Sequence, residues 1–240
     1  MYTQLVKIRN NREGATAPSA TRRNVVRARR EREKQQRAED ILQAAKKVFF
    51  SKGYLKATMD EIAYAAEISK PTIYQYFKTK DDLYFTLMLP VVEDIGRHLE
   101  LVEGDLDKGL ITEGRVLIDR IFAAVYHSYE LSPDTFRIVQ AFQQQGLVME
   151  LRETTREGLN DKGRSNFRLC RRLLSRGMDL GLIKRVNSYE LTDLIWGTTV
   201  GVIQLEDIKL DDQQGDRFKR STLKMASNFV VAALQPEEQP

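Results

Sequence analysis

Polar residues able to form hydrogen bonds follow one another between Ser69 and Lys80 of this 240-residue chain. The prominent side chains are a glutamine, two tyrosines, a threonine and two lysines: Gln75, Tyr74, Tyr76, Thr72, Lys70 and Lys80. Glutamine and threonine can form hydrogen bonds to the edges of bases, whereas lysines and tyrosine hydroxyls suit phosphate oxygens. The chemistry that this segment offers is recognition through hydrogen bonds.

Basic residues are concentrated at the N-terminus. Residues 1–37 contain eleven Lys or Arg against three Asp or Glu, a net charge of +8, while the whole chain carries +4. A basic arm indicates a polyanionic partner, either nucleic acid or an anionic membrane surface. We expect a mobile tail to about Thr21 and then a basic helical segment, in which Arg27, Arg29 and Arg30 neutralise phosphates or reach the minor groove. A solvated run of charges is the alternative.

Residues for catalysis or metal binding are scarce. No nucleophile with a neighbouring base, no metal cluster and no phosphate-binding glycine loop occurs at a recognisable spacing. The single cysteine, Cys170, cannot form an internal disulfide and is expected to be a small buried residue. His98 and His127 stand far apart in the sequence and leave too few ligands for a zinc site. We therefore expect no enzyme, no metal and no cofactor.

A membrane location has little support. No apolar run reaches the roughly 18 residues that a membrane span needs, and the N-terminus lacks the apolar stretch of a secretion signal. The expected compartment is the cytoplasm. A helical adaptor on an anionic membrane surface remains the alternative to nucleic-acid binding, although residues 22–37 almost wholly lack the apolar face that a lipid-binding helix needs.

The polar segment lies in a predicted pair of short helices. Thr58 with Glu61 has the capping-box pattern, which indicates that a helix begins there. Ser69 can cap the next helix, in whose first turn Pro71 is tolerated. Two helices joined by a short turn, the second led by polar side chains, match a DNA-binding helix-turn-helix. The geometric pattern alone would fit many unrelated helical hairpins.

Helical periodicity continues on both sides of this pair. A preceding helix ends near Gly53, and Thr79 with Asp82 opens a longer fourth helix, which reaches Leu99 and has a kink expected at Pro90. Strand signals are scarce, so the predicted fold class is all-α. The predicted domains are a basic arm, a helix-turn-helix domain and an effector-binding and dimerisation domain, at residues 1–37, 38–85 and 86–240. Further helices are predicted at about 112–130, 133–150, 162–180, 189–209 and 216–234.

The residues from Thr58 to Phe77, TMDEIAYAAEISKPTIYQYF, continue as KTKDDL and closely resemble the N-terminal domain of the tetracycline-repressor (TetR) family. The resemblance covers roughly residues 39–88, including the preceding FFSKGY, about a fifth of the chain. It implies an all-helical regulator of transcription, with an N-terminal three-helix DNA-binding domain and a larger C-terminal domain. One departure is Glu67, where the family usually has glycine; we expect strain or a shifted turn there.

The resemblance also implies roles for matching residues. Base edges or adjacent phosphates would be contacted by Lys70, Thr72 and Gln75, and the DNA backbone by Tyr74 and Tyr76, unless these tyrosines simply pack. The full predicted interface in this domain is Thr58, Ser69, Lys70, Pro71, Thr72, Tyr74, Gln75, Tyr76 and Lys80, with Lys80 gripping a phosphate. Because residues 39–88 hold seven lysines and seven acidic residues, the attraction to phosphate must come mostly from the arm.

Two amphipathic stripes close the chain, and they are predicted to form the interface of a homodimer. A palindromic operator has two half-sites and needs two DNA-binding domains, and the resemblance implies a four-helix dimer interface formed by these stripes. Ordinary core packing within one chain is the alternative. Gly197 and Gly201, four residues apart, would permit close helix approach. The predicted interface residues are Leu194, Thr198, Gly201, Val202, Leu205, Thr222, Met225 and Phe229.

The middle helices are rich in aromatic residues and methionine, which suits an apolar cavity as well as an ordinary core. The resemblance implies a small apolar or amphipathic effector, with an acyl thioester as one option. The candidate pocket residues are Phe122, Tyr126, Phe142, Met149 and Trp196. No charged residue stands in an obviously buried apolar run, which disfavours a metal-bound or highly charged ligand. The resemblance also implies that effector binding tilts the linking helix and releases the operator, so that the protein is a repressor; activation is the alternative.

Overall fold

The computed structural model describes residues 20–144, 151, 153–209 and 215–236. Over these residues the chain is helical without a strand, so the all-α prediction is confirmed. The helices are α1 (Ala20–Lys56), α2 (Met59–Ala65), α3 (Lys70–Tyr76), α4 (Lys80–Asp107), α5 (Gly114–Leu131), α6 (Pro133–Gln144), α7 (Glu153–Asp179), α8 (Ser188–Ile208) and α9 (Gly215–Ala233).

The predicted helix positions agree with these bounds to within about two residues at most ends. One difference is α7, which begins at Glu153 rather than near Lys162. The residues 153–161 are mostly polar, so the apolar periodicity marks only the later part of the helix. The predicted end of α6 near Glu150 lies outside the described residues.

The chain divides into two compact units, residues 1–40 and 41–240. Within the first, the described residues belong to the beginning of α1, and those from Asn24 to Arg37 are exposed. Its interactions are local: Arg29 pairs with Glu33 at 2.7 Å, and Gln36 donates to Asp40 at 3.1 Å, each across one helical turn. The predicted mobile tail lies outside the described residues, except that Ala20 and Thr21 already belong to α1.

The second unit begins with a small helical head, which we define as residues 41–87. It contains the rest of α1, α2, α3 and the first two turns of α4. Its buried side chains are apolar or aromatic: Ile41, Ala44, Ala45, Val48, Phe49, Tyr54, Ala57, Met59, Ile62, Ala63, Ile73, Phe77, Leu83 and Tyr84. Because α2 and α3 have only seven residues each, this shared core must stabilise them.

Helix α4 connects the head with the rest of the second unit, which we call the body (described residues from 88 on). Leu83 and Tyr84 are buried in the head, while Val91 to Leu106 contribute to the core of the body. The helix continues through Pro90 as one element of 28 residues. In the body it packs against α5 and α7, and α8 packs against α9.

The core of the body is one apolar cluster to which each helix from α4 to α9 contributes side chains. Among its fully buried members are Leu99, Leu117, Ile121, Leu173 and Ile195. Cys170 is also buried, as predicted, and burial raises the pKa of its thiol to about 11. None of the described helices is both long and apolar enough to cross a membrane.

Candidate nucleic-acid interface

Helix α3 presents its polar residues on the side opposite its buried one. Ile73 is completely buried and Phe77, directly after the helix, is nearly so, which fixes α3 against the head. Lys70, Pro71 and Gln75 are exposed, while Thr72, Tyr74 and Tyr76 are half-buried. The arrangement leaves the side chain of Gln75 open to a partner. Tyr74 and Tyr76 are half-buried, which is compatible both with packing against the head and with contact to the DNA backbone.

The start of α3 is fixed by its cap. Ser69 accepts a hydrogen bond from the backbone N–H of Thr72 at 3.3 Å, and the two hydroxyls lie 2.7 Å apart. Pro71 stands in the first turn, where its missing N–H leaves no carbonyl without a partner. The predicted cap is therefore confirmed, and the hydroxyls of Ser69 and Thr72 already interact with each other.

A reciprocal pair of hydrogen bonds begins α2. The N–H of Glu61 donates to Thr58 Oγ1 at 3.2 Å, and the N–H of Thr58 donates to Glu61 Oε2 at 3.1 Å. This is the predicted capping box. The hydrogen bond from Lys52, at 2.6 Å, is the main reason why the pKa of Glu61 lies below its usual value. Thr58 thus has a structural role whatever else it contacts.

The turn between α2 and α3 has the strained backbone predicted at Glu67. Glu67 has φ of 54°, the left-handed region in which glycine is favoured. The N–H of Ile68 donates to the carbonyl of Ala63 at 3.0 Å and the N–H of Glu67 to that of Tyr64 at 3.1 Å, the two bonds of a Schellman motif. Glu67 thus adopts the same turn that a glycine would, but with a conformational strain that a glycine would not have.

Two lysines of the predicted interface already have partners in the protein. Lys70 forms an ion pair with Asp60 on α2, with Nζ and Oδ1 2.8 Å apart, and this hydrogen bond raises the pKa of Lys70. Lys80 donates to the carbonyls of Tyr54 at 2.8 Å and Ala57 at 3.1 Å, and burial lowers its pKa. A phosphate contact by Lys80 would have to replace one of these bonds, which cap the end of α1.

One exposed aromatic residue of the head was missed by the sequence analysis. Tyr64 on α2 is 87% exposed, whereas its neighbours Ile62 and Ala63 are buried. The helical period that turns Ile62 and Ala63 inward also turns Tyr64 outward, so the signal was present in the sequence. Its hydroxyl is of the kind that suits phosphate oxygens.

The body contains charged side chains in its interior, although no charged residue stands in an obviously buried apolar run of its sequence. Lys219 on α9 is 4% exposed and pairs with Asp207 on α8 at 2.8 Å. Arg137 on α6 pairs with the same carboxylate at 2.7 Å, and the hydroxyl of Tyr129 on α5 accepts from Lys219 at 2.7 Å. These four residues join four helices, and the periodicity of single helices could not reveal this network.

The two histidines are also placed differently from the sequence expectation. His98 on α4 and His127 on α5 have ring centroids only 4.1 Å apart, and both face the buried Asp94. The argument that their separation in the sequence prevents a shared site was therefore wrong. Packing of α4 on α5 brings together residues that stand 29 positions apart.

The predicted effector pocket is only partly assembled. Phe122 and Tyr126 line a cavity of about 200 Å³ between α5 and α9, whose lining also includes Arg220 and Lys224. Trp196 instead stacks on Phe167, with ring centroids 4.3 Å apart. The side chain of Phe142, and Met149 altogether, lie outside the described residues. A second cavity, of about 510 Å³, lies between the end of α1 and α6.

The predicted dimer residues lie on an apolar surface of α8 and α9. Leu194, Leu205, Met225 and Phe229 are exposed, Phe229 by 70%. A Cβ added at Gly201 would meet no atom within 4 Å. Thr198, Val202 and Thr222 are half-buried. The buried side of α8 uses other residues, among them Leu191, Ile195 and Ile203, so core packing within the chain does not account for the exposed set.

Comparison with known proteins relates this geometry to one family. The family described as bacterial regulatory proteins, tetR family, matches residues 41–87. The uncharacterized HTH-type transcriptional regulator YvkB of Bacillus subtilis is 35% identical over 103 residues, which are 43% of this chain and 52% of YvkB. The chain thus spans about half the length of YvkB in that match.

Two similarities extend over most of the chain. The fatty acid metabolism regulator protein of Bacillus subtilis is 28% identical over 177 residues, 71% of this chain and 85% of that protein. The solved structure of the fatty acid degradation regulator FadR from Bacillus halodurans has a TM-score of 0.60 and 21% identity, and covers 84% of this chain and 97% of its own. The second similarity supports the fold of both head and body.

Proposed function

Because residues 41–87 match the tetR family, we propose that this chain is a member of that family and a repressor of transcription that binds a palindromic operator as a homodimer. The observation that carries the proposal is the exposed face of α3, fixed at its start by Ser69 and anchored by Ile73. A helix held in this way can enter the major groove with its first residues leading. The relatives described above are transcription regulators, a class without catalytic activity.

Gln75 is the residue proposed to read a base. It is exposed, and a glutamine amide can donate to and accept from the edge of an adenine. Lys70, Thr72, Tyr74 and Tyr76 are proposed to contact bases or the adjacent backbone. The charge of Lys70 is partly balanced by Asp60, so its contribution depends on exchanging that partner for a phosphate.

The arm is proposed to supply the attraction to phosphate. Arg27, Arg29 and Arg30 are exposed. The head to which the family model applies has seven lysines and five acidic residues, a net charge of only +2, whereas residues 1–37 carry +8. Each phosphate that the arm neutralises releases counterions, which makes binding weaker as salt increases. The ion pair of Arg29 with Glu33 is exposed to solvent and weak, so it would not prevent Arg29 from neutralising a phosphate.

The exposed apolar surface of α8 and α9 is proposed to bind the same surface of a second chain. Leu194, Leu205, Met225 and Phe229 would be removed from water there, and glycines 197 and 201 would let the helices approach closely. An interface with a twofold axis places two copies of α3 for a palindrome.

The proposed effector is a small apolar or amphipathic molecule. Two of the similar proteins are described as regulators of fatty acid metabolism or degradation, which supports an acyl chain or acyl thioester. The cavity lined by Phe122 and Tyr126 has Arg220 and Lys224 at its edge, a combination that suits an apolar chain with an anionic end. Its volume of about 200 Å³ is below the range of most ligand pockets, so binding would require the helices to open.

Effector binding is proposed to tilt α4 and to change the distance between the two copies of α3. Half-sites of an operator have a fixed spacing, so a changed distance would release the protein. Distances between spin labels on the two heads, measured with and without an acyl thioester, test this step. An unchanged distance in the presence of bound effector would refute it.

The test of the proposed function is selection of bound duplexes from a random pool by the purified full chain. We expect an enriched palindrome, and Gln75→Ala should weaken binding to it by about tenfold or more while leaving the fold intact. Gln235→Ala, which removes an exposed glutamine near the C-terminus, is the matched control. Deletion of the residues before Arg37 should weaken binding and make it less dependent on salt.

The outcomes separate the proposal from the membrane-adaptor alternative. An enriched palindrome that is weakened by Gln75→Ala and by deletion of the arm supports a dimer that reads an operator. No enrichment, or binding that is indifferent to Gln75, would contradict it. Equal salt dependence with and without the arm would contradict the role of the arm alone.

A further inference from the structure

Three side chains with metal-binding atoms meet where α4 packs on α5. Asp94 and His98 stand one turn apart on α4, and His127 stands on α5. One ligand atom from each lies within 4.8 Å of the others. Asp94 Oδ2 is 2.8 Å from His127 Nδ1 and 3.4 Å from His98 Nδ1. Two imidazoles thus converge on a single carboxylate oxygen.

The surroundings of this cluster are those of an accessible site with a buried anion. Asp94 is 1% exposed, whereas the side chains of His98 and His127 are 29% and 46% exposed. Arg97 is 3.1 Å from the other carboxylate oxygen, Oδ1, and is itself largely exposed. Oδ2 therefore faces the imidazoles, and both imidazoles are partly open to solvent.

We propose that Asp94, His98 and His127 bind one divalent transition-metal ion, with Zn²⁺ as the ion of choice. Two imidazoles and one carboxylate are typical zinc ligands, and three protein ligands leave a fourth position for water. Bonds of about 2.0–2.1 Å in tetrahedral geometry place two ligand atoms about 3.3 Å apart. The distances of 2.8 and 3.4 Å to Oδ2 lie on either side of this value, so small side-chain rotations suffice.

A hydrogen-bonded cluster without metal is the competing explanation. In it, Nδ1–H of His127 donates to Asp94 Oδ2, and Nδ1–H of His98 donates to the backbone carbonyl of Asp94 at 2.9 Å. Metal binding at Nδ1 must displace these two protons, which can move to Nε2 of the same rings. The proposal predicts that the ion joins α4 to α5 and stabilises the folded chain, because the unfolded chain does not hold the three ligands together.

The experiment is a titration of the tag-free full chain with Zn²⁺, followed by calorimetry, and with Co²⁺, followed by its visible absorption. His98 and His127 are the only histidines of the chain, so no other imidazole can bind either ion once the tag is removed. We expect one ion per chain and a Co²⁺ spectrum of tetrahedral type. The melting temperature should rise with the concentration of Zn²⁺.

Variants make the titration specific. His98→Asn and His127→Asn should each weaken Zn²⁺ binding by more than about a hundredfold, since loss even of an outer partner costs 10 to 100-fold. Glu100→Gln, which removes an exposed carboxylate from the same helix, should bind as the native chain does. Arg97→Ala should bind at least about threefold more tightly, because it removes a cation next to the ion.

The results that would overturn the proposal are equally direct. No saturable binding of Zn²⁺ to the native chain would do so, as would equal affinity in the native chain and in both histidine variants. Circular dichroism of each variant shows that it is folded before it is titrated. None of these measurements involves DNA, so the outcome does not depend on the proposed function.

Discussion

The head and the body bury different kinds of residue. Every buried side chain of the head is apolar or aromatic, whereas the described part of the body buries ten polar or charged residues, among them Asp94, Glu206 and Lys219. Polar groups of the head serve instead at the ends of its helices, as Thr58, Ser69 and Lys80 do. Polar groups in the head thus cap helix ends around an apolar core, whereas polar contacts inside the core join the helices of the body.

The largest effect should come from the network around Asp207. In Asp207→Asn, Lys219 and Arg137 keep their charges but lose their common anion, and Lys219 is almost completely buried. We expect a loss of about 3 kcal/mol or more in the free energy of unfolding, measured with urea. Glu93→Gln, which breaks the exposed pair with Lys162, should cost about 1 kcal/mol or less. Equal losses would remove the distinction between buried and exposed pairs.

The same variant should also alter how stability depends on pH. Burial alone would raise the pKa of Asp207, but hydrogen bonds from Arg137 and Lys219 hold the pKa below its ordinary value. The stabilisation is therefore complete above the unfolded pKa of about 3.9 and is lost as pH falls through the lower folded pKa. The difference between the native chain and Asp207→Asn should stay constant from pH 7 to about pH 4 and shrink as pH falls further.

A smaller effect is expected at the caps of the head. Thr58→Ala removes the acceptor for the N–H of Glu61 and should cost about 1 kcal/mol. Thr112→Ala, in the exposed loop between α4 and α5, is the matched control and should change the free energy of unfolding less. If the two variants were equally stable, side-chain caps would not be what stabilises α2.

The smallest effect concerns the strained turn of the head. Two other Schellman motifs, after α4 and α7 in the body, have Gly109 and Gly181 at the position where the head has Glu67. Glu67→Gly should therefore stabilise the chain, by about 0.5 kcal/mol after the loss of backbone entropy is included. Gly109→Ala, where the added Cβ meets no atom, should destabilise it by about 1 kcal/mol. If Glu67→Gly and Gly109→Ala changed the free energy of unfolding in the same direction, the positive φ would not be the cause of the strain.

The sequence predicted the head better than the body because signals in the head are local. The cap at Thr58, the cap at Ser69 and the strained Glu67 are each determined by residues at most five positions away. The outward face of α3 follows from the inward positions of Ile73 and Phe77. Contact of these residues with bases is not encoded locally, and it remains a prediction.

The polar interior of the body was not predictable in the same way. Lys219 and Tyr129 are 90 positions apart, and Lys224 pairs with Asp119 across 105 positions. Such partners meet only after the helices have packed. From the sequence alone, a lysine on the exposed polar side of an amphipathic helix cannot be distinguished from a lysine that is buried beside an anion. For the same reason, the separation of His98 and His127 in the sequence was misleading.

The length of α4 has a mechanical consequence. With 28 residues it measures about 42 Å, and it has its first turns in the core of the head and the remainder in the body. As a lever of that length, it turns a tilt of about 5° at one end into a displacement of about 3.7 Å at the other. This is close to the 3.4 Å step between neighbouring nucleotides of a DNA strand. In the proposed dimer, a tilt of this size would shift each head by about one base pair along the DNA.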